Sequence, residues 1–174
     1  RMAAAGTATE AQIGVQHYGR GHSGARREPL KYWDTSGLAS LLLTDAHSDG
    51  ATAILSTDPH IATWWATYVE CQSAIWNNER RGLITTLEAE SAQRRLIAMR
   101  KLWMEIPPSE DIRGQACRLL RIHDLRAADA LQLAAALFAA DGSNEKFPFV
   151  TNDRRLALAA RREGFPVLTN KDCS

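Results

Sequence analysis

Four carboxylates, distant from one another in the chain, share one kind of setting: Asp34 in KYWDTSG, Glu70 in WATYVECQ, Asp129 in LRAADALQLAAAL and Asp153 in FVTNDRRL. Each stands where a strand is expected to give way to a helix, or within an otherwise apolar helix. A carboxylate there is costly unless something positive meets it. One divalent metal would meet all four, because hard ions of that kind take carboxylate oxygens.

Each acid also has a plainer reading. Asp34 leaves a strand and enters a helix, where it would act as an N-cap. Ligand sites of open parallel sheets nevertheless gather at the carboxyl ends of strands, which is where this residue falls. Ser36, two residues on, is placed to fix that carboxylate or to hold a metal-bound water. Thr67-Tyr-Val-Glu70 reads as a capping box, although the helix it opens also follows a strand. Asp129 and Gln132 are the only polar residues from Ala127 to Phe138, three apart and so on one edge of a helix. An exposed pair with Arg126 would contribute about 0.3 to 0.5 kcal/mol, too little to justify a charge in a buried helix. Asp129 is therefore assigned to a metal or a site. Asp153 follows Thr151 and Asn152, giving three candidate caps for one helix; the surplus points to at least one of them facing a ligand.

The elements that must position these acids alternate along the chain. Leu30 to Trp33 predicts a short buried strand feeding Asp34 into a helix that runs to about Thr44. A second short helix around Ala51 to Leu55 precedes the Asp58-Pro59 break. Ile61 to Ala66 is a β-rich run, and Thr67 opens a helix to about Arg81, closed by Gly82. Thr85 to Met104 reads as one long amphipathic helix with a stripe of Leu87, Ala92, Leu96, Met99 and Trp103, ended by Pro107-Pro108. Ser109 caps a helix from Glu110 to His123, and Arg126 to Ala140 makes another. Beyond the polar loop Asp141 to Lys146 come a strand at Phe149 to Thr151, a helix from Arg154 to Glu163 stopped by Gly164, and a last strand at Val167-Leu168. Strands separated by helices imply a parallel sheet covered on both faces.

The chain's 174 residues suit one domain. Arg1 to Glu28 is rich in Ala, Gly, Arg and His and lacks hydrophobic periodicity, so it reads as a tail or appended extension. The domain is expected to begin near Pro29 and to run to residue 174. The longest apolar run, Leu133 to Ala140, is far below the roughly 20 residues of a membrane span. A net charge of +1 leaves a nucleic-acid partner open. Arginines of the central helices and Arg154, Arg155, Arg161 and Arg162 read mostly as solvated faces, with a few left to line a phosphate path. Cys71, Cys117 and Cys173 form neither a disulfide framework nor a zinc motif, and no signal-type segment opens the chain; a reducing cytoplasm is expected. His17, His22, His47, His60 and His123 form no metal-ligand pair and are expected at the surface.

The four acidic motifs, in this order and spacing, resemble the PIN-domain family, and within it the VapC-type ribonuclease toxins of bacterial and archaeal toxin–antitoxin pairs. The resemblance runs from about Leu30 to Leu168, through WDTSGL, TYVECQSA, LRAADALQLAAAL and FVTNDRRLALAARREGFPVL. Where the third motif often has His, this chain has Gln132. The resemblance implies a three-layer α/β/α domain with a short parallel sheet, acting on RNA with magnesium or manganese. It implies an acidic pocket of Asp34, Glu70, Asp129 and Asp153, with Ser36, Thr151 and Asn152 in support. A metal-activated water would then be the nucleophile for phosphodiester hydrolysis. The partners implied are RNA, a cognate antitoxin and a second copy of the chain, since Trp64, Trp65, Trp76 and Trp103 exceed what one small core readily buries. Two alternatives stand beside this reading: a degenerate PIN fold that only binds, and a phosphatase of the haloacid-dehalogenase type. The second needs an acid where Ser36 stands.

Overall fold

Short apolar runs followed by helices become the strands of a single parallel sheet. The computed structural model describes residues 30–43, 48–141 and 146–169. Its strands are β1 (Lys31–Trp33), β2 (Ile61–Trp64), β3 (Met104–Ile106), β4 (Phe149–Val150) and β5 (Val167–Leu168). The helices are α1 (Thr35–Leu42), α2 (Ser48–Thr57), α3 (Thr67–Arg80), α4 (Thr86–Arg100), α5 (Glu110–Ile122), α6 (Ala127–Ala140) and α7 (Arg154–Arg162). The tail read over Arg1 to Glu28 and the domain start at Pro29 lie outside the described residues, as do His17, His22, His47 and Cys173.

The strand order is β3-β2-β1-β4-β5, and every neighbouring pair is parallel. Because successive side chains of a strand point to opposite faces, the sheet divides the core in two. Tyr32, Ala62, Trp64, Ile106 and Phe149 pack with α5, α6 and α7. Trp33, Ile61 and Val150 turn the other way, onto α1, α2, α3 and α4. The result is the expected α/β/α sandwich. Strand order reverses beside β1, since β2 and β3 lie to one side of it and β4 and β5 to the other. The crevice of such a sheet opens outside the carboxyl ends of the strands at that switch point, here β1 and β4.

One element departs from the sequence reading. The stretch from Thr85 to Met104 is not a single helix: α4 ends at Arg100, and Met104 begins the edge strand β3. Leu87, assigned to the buried stripe, is 71% exposed, while Ala89, Ala92 and Leu96 form the buried face. Trp103 is buried but lies beyond the helix. Three residues of strand carry too little alternation to read, and β3 exists because distant β2 supplies its hydrogen bonds. Within the WDTSG motif, a Cβ on Gly37 would stand 3.0 Å from the Val150 carbonyl oxygen, so glycine lets α1 lie against β4.

Candidate active site

Asp34 leaves β1 and caps α1. Its Oδ1 accepts the Gly37 amide at 2.8 Å and the Ser36 hydroxyl at 2.9 Å. Its own amide donates to the Val150 carbonyl at 3.1 Å, which ties the acid to the end of β4. The residue is only 4% exposed. Burial pushes its carboxyl up to about 7, against the opposing pull of the Gly37 and Ser36 donors. All the donors around it are neutral. Among the described residues no Lys, Arg or His forms an ion pair with Asp34.

Ser36 has one hydroxyl hydrogen, and Asp34 takes it. The Thr151 hydroxyl, 3.2 Å away, then donates to Ser36. The Asn152 amide donates to the same Ser36 oxygen at 2.8 Å, and its side chain donates to the Ser36 carbonyl (3.1 Å) and to Ser40 (2.9 Å). Thr151 and Asn152 therefore hold α1 to the loop after β4, and the surplus of candidate caps is spent on that link. Asp153 is the actual cap of α7, with Oδ1 accepting the Arg155 and Leu156 amides at 2.8 and 2.9 Å.

Glu70 is not the cap that its sequence suggested. The helix α3 begins at Thr67, with Ala66 in the cap position and no side-chain capping bond. Thr67 turns inward to Thr63 and Gln132 instead. The Glu70 carboxylate accepts from the Thr35 hydroxyl and from Gln132 Nε2, the latter at 2.8 Å. Thr35 is the residue after Asp34, so the exit of β1 and the first turn of α3 are joined through it. The signal for Thr35 in the sequence is a hydroxyl adjacent to an acid at a strand end.

Asp129 lies in the first turn of α6 rather than deep within the helix, because the helix starts only at Ala127. Its expected partner Arg126 meets it through the backbone amide, at 3.4 Å. Partial burial raises the Asp129 carboxyl, the Arg126 amide opposes this, and the charge of Asp153 adds to the rise. The charges of Asp129 and Asp153 thus act on one another, while those of Asp34 and Glu70 both act on Tyr32 and Cys71. Among the described residues, no three carboxylate, imidazole or thiol side chains stand together as a metal-ligating group. The donor chemistry still suits magnesium or manganese, which take carboxylate oxygens, one or two at a time, and keep several waters. One of the histidines corrects the surface expectation: His123 is largely buried, with Nε2 2.8 Å from Glu163.

The sequence profile of the PIN domain family matches residues 31–163. Ribonuclease VapC45 of Mycobacterium tuberculosis is 30% identical over 139 residues, covering 78% of this chain and 92% of that protein. Among solved structures, VapC20 of Mycobacterium tuberculosis, described as a sarcin-ricin loop cleaving toxin, shares the fold at a TM-score of 0.57 and 20% identity, over 78% of this chain and 95% of that one. A toxin-antitoxin complex from Klebsiella pneumoniae aligns at a TM-score of 0.53 and 21% identity, over 80% and 97% of the two chains. Fold and sequence agree, and the protein belongs to the PIN-domain family, in its VapC ribonuclease branch.

Proposed function

We propose that this protein is a metal-dependent endoribonuclease and the toxin of a toxin–antitoxin pair, acting in the cytoplasm on RNA. The observation that carries the reading is Asp34: a buried carboxylate at the switch point of the sheet, surrounded by neutral donors and lacking a counter-ion among the described residues. Such a group either keeps its proton or, when ionised, is stabilised by a cation brought from outside. Asp34, Glu70, Asp129 and Asp153 are the residues proposed to hold magnesium or manganese. Held there, such an ion would supply a water of lowered pKa and would offset charge on the phosphate. Ser36 and Thr151 keep the Asp34 carboxylate in one orientation, and Thr35 and Gln132 do the same for Glu70. The 30% identical relative named as a ribonuclease supports RNA as the substrate.

An antitoxin follows from the same reading, since a toxin must be silenced in its own cell; the toxin-antitoxin complex among the structural relatives supports it. The natural inhibitor is a segment that brings an Arg or Lys to Asp34 in place of the metal. A homodimer is proposed on narrower ground than the sequence suggested. Trp64 and Trp103 are core residues, but Trp65 is 53% exposed and Val69 and Leu102 are exposed as well. The phosphatase alternative is disfavoured by Ser36, which stands where the second acid is needed and donates to Asp34.

The test is cleavage of single-stranded RNA by the purified chain with magnesium, with manganese and with a chelator. Cleavage restored by either ion and absent in the Asp34→Asn protein is expected. Metal-independent cleavage would overturn the role of the metal, and a folded chain that binds RNA without cutting it would favour the binding-module reading.

A further inference from the structure

Gln132 is 2% exposed and sits among the helices that flank the crevice. Its Oε1 accepts the Tyr32 hydroxyl of β1 at 2.8 Å. Its Nε2 lies 2.8 Å from Glu70 of α3, 3.0 Å from Thr35 of α1 and 3.0 Å from Thr67 of α3. A carboxamide has a donor end and an acceptor end, and the network admits only one orientation. Reversed, it would set Oε1 against the Glu70 carboxylate and leave the Tyr32 hydroxyl facing an NH2 group. A phenol carries its proton at neutral pH, so the Tyr32 hydroxyl is the donor to Gln132 Oε1.

We propose that Gln132, oriented by the Tyr32 hydroxyl, is the positioning residue that holds Glu70 in its working conformation. This rests on the ribonuclease reading for its consequence, though not for its geometry. Tyr32 lies on the opposite face of β1 from Trp33, in the α6 side of the core, so the network links the two helix layers across the end of the sheet. Asparagine or an apolar residue at 132 cannot span Tyr32 and Glu70 at once. A neutral imidazole can, since its two nitrogens present one acceptor and one donor at opposite ends.

Four proteins test this: wild type, Tyr32→Phe, Gln132→Glu and Gln132→His. Without RNA or metal, the Gln132 side-chain NH2 signals of the wild type are expected to exchange with solvent slowly, and Tyr32→Phe should speed that exchange at least about tenfold. Equal exchange in the two proteins would overturn the orientation by Tyr32. With RNA and magnesium, Tyr32→Phe and Gln132→Glu should lower kcat by roughly 10- to 100-fold with KM little changed, whereas Gln132→His should restore it to within about fivefold of wild type. Wild-type kcat in folded Tyr32→Phe and Gln132→Glu would sink the positioning role; so would a Gln132→His protein as poor as Gln132→Glu. A wild type that cuts no RNA would instead defeat the ribonuclease reading, and the exchange measurement would still decide the geometry. Should Gln132→Glu not fold, Tyr32→Phe alone carries the kinetic arm.

Discussion

Two aspartates of this domain are exposed to the same low degree and live at opposite ends of the sheet. Asp58, 3% exposed, precedes β2 and meets Lys31 of β1 at 3.4 Å and the His60 ring at 3.0 Å. Although burial works against it, the His60 donors and the Lys31 charge hold its carboxyl below the ordinary range. Asp34, at the other end of β1, has donors of nearly equal number but no charge among them, and its carboxyl rises to about 7. Low exposure alone therefore does not set the shift: Asp34 lies deep, where desolvation dominates, whereas Asp58 lies nearer the surface and has charged and donating partners. Asp58 closes a structural ion pair at the amino end of the sheet. Asp34, at the carboxyl end, has no ion-pair partner among the described residues.

The contrast breaks most visibly in activity. Asp34→Asn should lower ribonuclease turnover by at least about 10⁴-fold, roughly 5.5 kcal/mol of transition-state stabilisation, with the fold retained. Retained cleavage at a tenth of the wild-type rate would place Asp34 on the structural side with Asp58. The converse substitution, Asp58→Asn, leaves Lys31 buried without its charge partner and is expected to cost about 3 kcal/mol of stability by denaturant melts. Activity per folded molecule should not change; a silent Asp58→Asn in the melts would mean that the ion pair contributes nothing.

A smaller effect sharpens the comparison through pH. A raised Asp pKa makes the folded metal-free protein hold a proton that the unfolded chain has lost, so its stabilising contribution is present near pH 4 and declines as pH rises through 7. Between pH 5 and pH 7 the wild type should lose roughly 2 kcal/mol relative to Asp34→Asn. Asp58 has the opposite sign: its contribution is present above the ordinary carboxylate range and is lost only as pH falls through its depressed pKa. Parallel pH curves for wild type and Asp34→Asn would show that Asp34 ionises without penalty. The smallest expected effect is on melting. Millimolar magnesium or manganese should raise the wild-type Tm by a few degrees, about 1 kcal/mol. It should leave Asp34→Asn unmoved, and equal shifts in the two proteins would place the ion elsewhere.

Much of this molecule was legible from residue types in order. Strand, acid and helix follow one another at Trp33-Asp34-Thr35 and again at Val150 to Arg154, and that local pattern determined both the parallel sheet and which carboxylates would end its strands. Ser109 before α5, and the glycines after α3 and α7 with φ of 67° and 87°, were equally local signals. Reading failed where an element depends on a distant partner. β3 is three residues long and takes its identity from β2, and Leu87 faces solvent because the neighbours of α4 lie against a different stripe. Glu70 shows the same limit within one side chain: its sequence is that of a capping box, but Thr67 lies inside the helix and turns to Thr63 and Gln132, and Gln132 and Thr35 take the Glu70 carboxylate. The chain by itself therefore determined the acids, their order and the strand ends that carry them. Which acid is paired, which has no counter-ion among the described residues and which acid the Gln132 amide meets were decided only by tertiary structure, because electrostatic partners are chosen by proximity in space and by burial, and neither is written in sequence spacing.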